Sequence, residues 1–171
     1  YREALDYVYN YSGEPNKEKY AIISIQEPTN GYGMGLKFCT GGNCKAALNI
    51  EFADITPAFI RSKEDEKEWG YQLMSDENAS KIHDFVESLP DGIDKLIVHC
   101  HAGVSRSAAV AAALSLVKNG NDKIYFNSKR YMPNMWVYYR VLKAYGLSNE
   151  YSEDPISGNE SQDKVYNLAE L

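Results

Sequence analysis

Apolar and polar positions group along this chain in ways that separate strands from helices. Tyr20–Ile25 (YAIISI) is a short, almost unbroken apolar run, the pattern of a buried strand. Gly31–Gly42 is glycine-rich and reads as a loop or hairpin around Leu36–Cys39. Leu48–Phe52 alternates at period two, which predicts a strand with one wet face. Thr56-Pro57 has the form of a helix start and leads into Arg61–Glu68 (RSKEDEKE), a charge run expected on a solvated surface or an insertion. From Asp76, read as a helix N-cap, the positions Ala79, Ile82, Val86 and Leu89 recur at helical spacing with Phe85 beside them. Pro90-Asp91-Gly92 ends that amphipathic helix. Leu96–Val98 is a second buried apolar run, followed by a short loop and by Ser105–Lys118, apolar on almost every side and closed by Asn119-Gly120. A helix without a polar face belongs in the centre of a fold. Two further helices are expected at Asp122–Asn127 and Asn134–Ala144, the latter stopped by Gly146.

The order helix, strand, tight loop, buried helix predicts an α/β fold with a mostly parallel central sheet flanked by helices. At 171 residues, 44% hydrophobic and 25% charged, the chain can bury one real core, which places a single domain at 1–148. After Ser148 the apolar density falls, and 149–171 reads as an acidic, flexible tail. Six acidic residues against Lys164 alone put five of the six net negative charges there. The body is then close to neutral, so neither a nucleic-acid nor a membrane partner is implied by charge. No apolar run approaches the ~18 residues of a membrane span, and the start lacks a leader pattern. The odd cysteine count (Cys39, Cys44, Cys100) favours a reducing, cytoplasmic setting and thiol reactivity over a disulfide framework.

The candidate chemistry lies in His99–Ser107 (HCHAGVSRS), where a strand's carboxyl end meets a helix's amino end. Gly103 and small neighbours let the backbone of His101, Ala102, Gly103, Val104 and Ser105 curl so that successive N–H groups face one centre, and the following helix adds its positive end. That makes an anion cradle, with Arg106 able to grip two oxygens of a tetrahedral oxyanion. A thiol in that field ionises at about 3.5–7.5 instead of ~8.5, so Cys100 is expected to be an exposed thiolate facing a bound phosphate. Ser107 is spaced to reach back to its sulfur.

His-Cys-(five residues)-Arg-Ser resembles the signature of the cysteine-dependent protein tyrosine phosphatases, and the surrounding strand, the Ala-rich helix and Pro133-Asn134 resemble the compact dual-specificity and bacterial branch. The resemblance covers about Lys95–Tyr145, is weaker over Tyr20–Leu89 and is absent from the tail. It implies a phosphatase-like fold and a metal-independent hydrolase that removes phosphate from phosphotyrosine, with phosphoserine and phosphothreonine in the wider reading, through a phosphocysteine. Cys100 would be the nucleophile, Arg106 the phosphate clamp, Ser107 the leaving-group helper and His99 an orienting neighbour that favours the thiolate. The family's general acid is an upstream Asp, and Asp54 after the Leu48–Phe52 strand looks like that position. Its interval of 46 residues before Cys100 is longer than usual, so Asp65, Glu66 and Asp76 stay in contention. No cofactor and no metal are implied; the partner is a phosphorylated protein or small phosphomonoester, and oligomeric state is left open.

Three other readings compete. A phosphate-recognition module would keep the cradle without a well-placed acid. A sulfurtransferase or arsenate reductase would use the cysteine and arginine without Asp54. A metal site from Cys39, Cys44, His99 and His101 has weak zinc spacing. His101 would either add positive charge at the rim or be an exposed bystander.

Overall fold

A computed structural model describes residues 18–28, 37–148 and 150–151. Its strands are β1 (Tyr20–Gln26), β2 (Cys44–Glu51) and β3 (Lys95–His99), which form one parallel sheet in the order β2-β1-β3. The chain therefore has the expected α/β architecture. β1, in the centre, is buried over almost its whole length, as the unbroken apolar run requires of a strand covered on both faces. Its alternate residues divide between two clusters. Ile23 and Ile25 join Ile50, Phe52 and the helices, while Tyr20 and Ile22 meet Phe38 and Cys44 on the other side. β2 starts at Cys44, ahead of the predicted Leu48, because Gly41 and Cys44 close a tight bridge that launches the strand. Of the Gly31–Gly42 loop, 31–36 lie outside the described residues.

The helices are α1 (Lys63–Trp69), α2 (Asp76–Glu87), α3 (Arg106–Asn119), α4 (Lys123–Phe126) and α5 (Met135–Ala144). Two starts differ from expectation. Thr56-Pro57 opens only a 3-10 turn, Pro57–Phe59, and the charge run then folds as α1 under a new cap, Ser62, whose hydroxyl accepts from the Asp65 amide at 3.0 Å. The cap of α2 is Ser75 rather than Asp76: Ser75 Oγ accepts from the Asn78 amide, and Asn78 Oδ1 accepts from the Ser75 amide, a reciprocal box that needs the amide three residues on. Asp76, one position inside, instead pairs with Arg140 and with Lys143 (2.9 Å), clamping α2 to α5.

α3 is the core helix, with Ala109, Val110, Ala112, Ala113 and Leu114 fully buried. It ends at Gly120, whose φ of +69° is the left-handed cap a glycine takes without strain. α5 ends in the Schellman pattern, Leu147 N–H to Leu142 carbonyl and Gly146 N–H to Lys143 carbonyl. The buried Tyr138 hydroxyl donates to Asp122 at 2.5 Å, tying the start of α4 to α5. Of the tail, Glu150 and Tyr151 are described, and Tyr151 packs its ring on Trp136 and Tyr139; 152–171 lie outside the described residues. No helix among the described residues is long and apolar enough to cross a membrane.

Candidate active site

Because all three strands are parallel, their carboxyl ends share one edge of the sheet, and each delivers part of the site there. β3 ends in His99 and passes into the loop Cys100–Ser105 before α3. β2 passes into Phe52, Ala53 and Asp54, and β1 into Glu27. Gly103 has φ +71°, so the turn inside the loop uses the backbone freedom only glycine offers cheaply. The carbonyls of Val104 and Ser105 accept from the Met132 and Asn134 amides at 3.0 and 3.4 Å, which fastens the loop's outer side to the start of α5.

Cys100 lies at the bottom of this loop, 2% exposed and packed in the main core cluster. The expectation of an exposed thiolate is thus corrected: the loop wraps the sulfur instead of presenting it. Burial pushes the thiol up, yet hydrogen bonds from the Ser107 hydroxyl (Sγ to Oγ 3.2 Å) and from the amides of Ser107 and Gly103, together with the Arg106 charge, outweigh it. The net position is below the ordinary value for cysteine. Ser107 is therefore where its spacing predicted, against the sulfur.

For His99 the thiolate-favouring half of the expected role is corrected. Burial holds its imidazole down to about 4, so near neutrality it carries no charge with which to favour a thiolate. Its Nδ1–H donates instead to the Cys100 carbonyl at 3.5 Å, and its ring meets Phe38 edge-on at 4.9 Å. That contact with the Cys100 backbone is the geometry the orienting half of the expected role calls for. His101 and Ala102 are exposed at the loop's outer turn, Gly103, Val104 and Ser105 half-buried.

Arg106 is the most deeply buried charge in the described structure, its side chain 4% exposed. Nη1 donates to the Phe52 carbonyl at 2.9 Å, Nη2 pairs with Glu27, and Nε stands 3.9 Å from Asp54 Oδ2. At that distance Nε makes an ion pair but no hydrogen bond, and it is a buried donor without an acceptor among the described residues. Such a donor costs about 1–3 kcal/mol.

Asp54 faces the loop. Its Oδ1 accepts from Ser105 Oγ at 2.7 Å and from Asn134 Nδ2 at 2.9 Å. Ser105 is the N-cap of α3, but its hydroxyl is spent on Asp54 and caps no amide of that helix. Asn134 has three tasks at once: it caps α5 through the Val137 amide, donates to Asp54 and donates to the Ile55 carbonyl at 3.3 Å. The rival carboxylates are elsewhere. Asp65 accepts from the Arg61 amide at the start of α1, Glu66 belongs to the same helix and Asp76 is bound to α5.

Glu27 was not singled out by sequence reasoning. The available signal was positional: it follows the β1 run directly, at the same strand end that yields Asp54 and Cys100. Asn134, noticed only as part of Pro133-Asn134, is the second residue whose role was not legible. The cysteines Cys39 and Cys44 are free, Cys39 exposed and Cys44 buried, and no cluster of ligands fit for a metal ion occurs among the described residues.

Comparison of the chain with known protein families, with curated proteins and with solved structures returns no match.

Proposed function

We propose that the protein is a phosphomonoester hydrolase that needs no metal and acts on phosphotyrosine, and in the wider reading phosphoserine and phosphothreonine, of phosphorylated proteins in a reducing compartment. The observation that carries this reading is the hydrogen bond from Ser105 of the cysteine loop to Asp54, 51 residues away. A passive phosphate-recognition module or a sulfurtransferase has no use for a carboxylate fixed over the cradle; a hydrolase has two.

In the proposed reaction the Cys100 sulfur attacks phosphorus, an S–P bond forms and the P–O bond to the leaving group breaks. Protonated Asp54 gives its proton to the departing oxygen. Arg106 and the loop amides bear the charge on the phosphoryl oxygens. Water then attacks the phosphocysteine while Asp54, now a carboxylate, takes its proton. The S–P bond breaks, and the Ser107 hydroxyl at 3.2 Å holds the thiolate as it leaves. Inorganic phosphate is the product.

The test is hydrolysis of p-nitrophenyl phosphate by the wild-type protein in the presence of chelator, with Cys100→Ser and Arg106→Lys beside it. Turnover by the wild type, none by Cys100→Ser and a large loss in Arg106→Lys are expected, since lysine keeps the charge but not the planar fork. Retained turnover in Cys100→Ser would sink the phosphocysteine route. Phosphate binding with no turnover by the wild type would return the recognition-module reading.

A further inference from the structure

Beyond Asp54 the chain turns at Thr56-Pro57, and with α1 and the first turns of α5 it walls a groove of about 860 Å³. Pro57, Arg61, Lys63, Glu66, Trp136 and Arg140 are in its lining. Three cations face one anion there, in a chain whose formal net charge is −6. Arg61 and Lys63 are exposed, and neither side chain enters an ion pair among the described residues; the contact Arg61 makes with Asp65 is through its backbone amide. Arg140 lies over the Trp136 ring at 3.8 Å and is held from behind by Asp76, while the Trp136 indole N–H donates to the Met74 carbonyl at 3.0 Å. The floor is therefore a fixed guanidinium–indole platform, and the wall carries two uncommitted cations.

This groove adjoins the cysteine loop through short pieces of chain. Asn134, which bonds Asp54, is two residues before Trp136, and Pro57 is three residues after Asp54. Three extended residues span about 10 Å, so a polypeptide with its phosphorylated residue over Cys100 reaches the groove with its next few positions. The volume exceeds what a phosphate group fills and lies in the range that takes several side chains.

We propose that the groove is a subsite that recognises acidic side chains close to the phosphorylated residue of a polypeptide substrate, through Arg61 and Lys63. The inference rests on the phosphatase reading for its substrate but is read by binding, so that the two can fail separately. Labelled phosphotyrosine peptides with Glu or with Ala at the neighbouring positions would be titrated against Cys100→Ser, in which nothing turns over. The Glu peptide is expected to bind about two- to ten-fold more tightly, the yield of one or two exposed ion pairs, with the gap closing at high salt. In Cys100→Ser carrying Arg61→Glu and Lys63→Glu the preference should vanish; with Arg61→Lys and Lys63→Arg it should persist. Should the double reversal fail to fold, Arg61→Gln with Lys63→Gln gives the same reading. Equal binding of the two peptides, or a preference that survives reversal, overturns the subsite. A single-stranded oligonucleotide that displaces the Glu peptide more effectively than unlabelled Glu peptide overturns the assignment to polypeptide. p-Nitrophenyl phosphate is too small to reach the groove, so its hydrolysis by the Arg61→Glu, Lys63→Glu protein with Cys100 intact should equal wild type, and its failure in the wild type itself bears on the phosphatase reading alone.

Discussion

Asn134 donates from Nδ2 to Asp54 Oδ1 at 2.9 Å across 80 residues of sequence, and the same side chain caps α5. The carboxylate assigned as general acid is thus set by a helix cap. Asp54→Asn should lower kcat on phosphotyrosine by ~10²–10⁴. The deficit should shrink for phosphate esters of very acidic phenols, which leave without a proton. A rate equally poor across leaving groups would take the role away from Asp54. Asn134→Ala should lower kcat to a smaller extent and cost about 1 kcal/mol of stability as a lost cap, measurable by denaturant unfolding.

Cys100 and Cys44 are both buried but titrate in opposite directions. Burial raises Cys44 above its ordinary value, against weaker opposition from hydrogen bonds to Tyr20 and Ala46, whereas donors in the loop bring Cys100 below. At pH 6–7, iodoacetamide should therefore modify Cys100 before Cys44, and inorganic phosphate should protect it. Peptide mapping after timed alkylation reads this directly; equal rates would remove the activated thiolate. Peroxide should likewise abolish the proposed hydrolysis of p-nitrophenyl phosphate, with the early product recovered by a thiol reductant.

Glu27 pairs with Nη2 of Arg106, one of the donors the proposed reaction assigns to the phosphoryl oxygens. Glu27→Gln removes a competing charge and also an orienting one. Inorganic phosphate should then inhibit at several-fold lower concentration, while kcat falls several-fold because the guanidinium is less fixed. Steady-state kinetics with phosphate as inhibitor separates the two; unchanged inhibition would make Glu27 a bystander.

His99 links stability to pH. Its folded value is held down to about 4, against 6.5 for an unburied imidazole, so between these values the unfolded chain binds the extra proton. The contribution is fully present above about 6.5 and is lost as pH falls through about 4, on the order of 3 kcal/mol at most. Thermal unfolding of wild type and His99→Asn across pH 4–7.5 should show a steeper acid loss in the wild type; parallel curves would exclude this residue.

Periodicity was enough for β1 and α3, because a strand buried on both faces and a helix buried on almost every side leave unbroken apolar runs; the Leu96–Val98 run also marks a strand, β3, but one that is half-buried there instead of buried. Asp54 could be chosen since a carboxylate just after a strand is placed by the strand. Ser75 and Asp76 were confused because both residue types cap helices, and what separates them is Asn78 reaching back to Ser75. The helical state of the charge run was hidden for a related reason: RSKEDEKE has no apolar stripe, and α1 rests on its cap and on acidic residues in its first turn. Glu27 carried only a positional signal, since its ion pair with Arg106 exists only once β1 and β3 lie side by side.

That dependence has a kinetic side. Glu27, Asp54 and Cys100 reach one edge only after β2 and β3 have each paired with β1, and parallel pairing requires a long crossover to close before it is rewarded. Helices α2, α3 and α5 close their backbone hydrogen bonds over a few residues and can begin to form earlier. A chain emerging from denaturant would accordingly regain helical signal while still unable to hold Arg106 between its two carboxylates. The cluster at the sheet edge is the last thing this topology completes, which would make the proposed hydrolysis a reporter of finished folding.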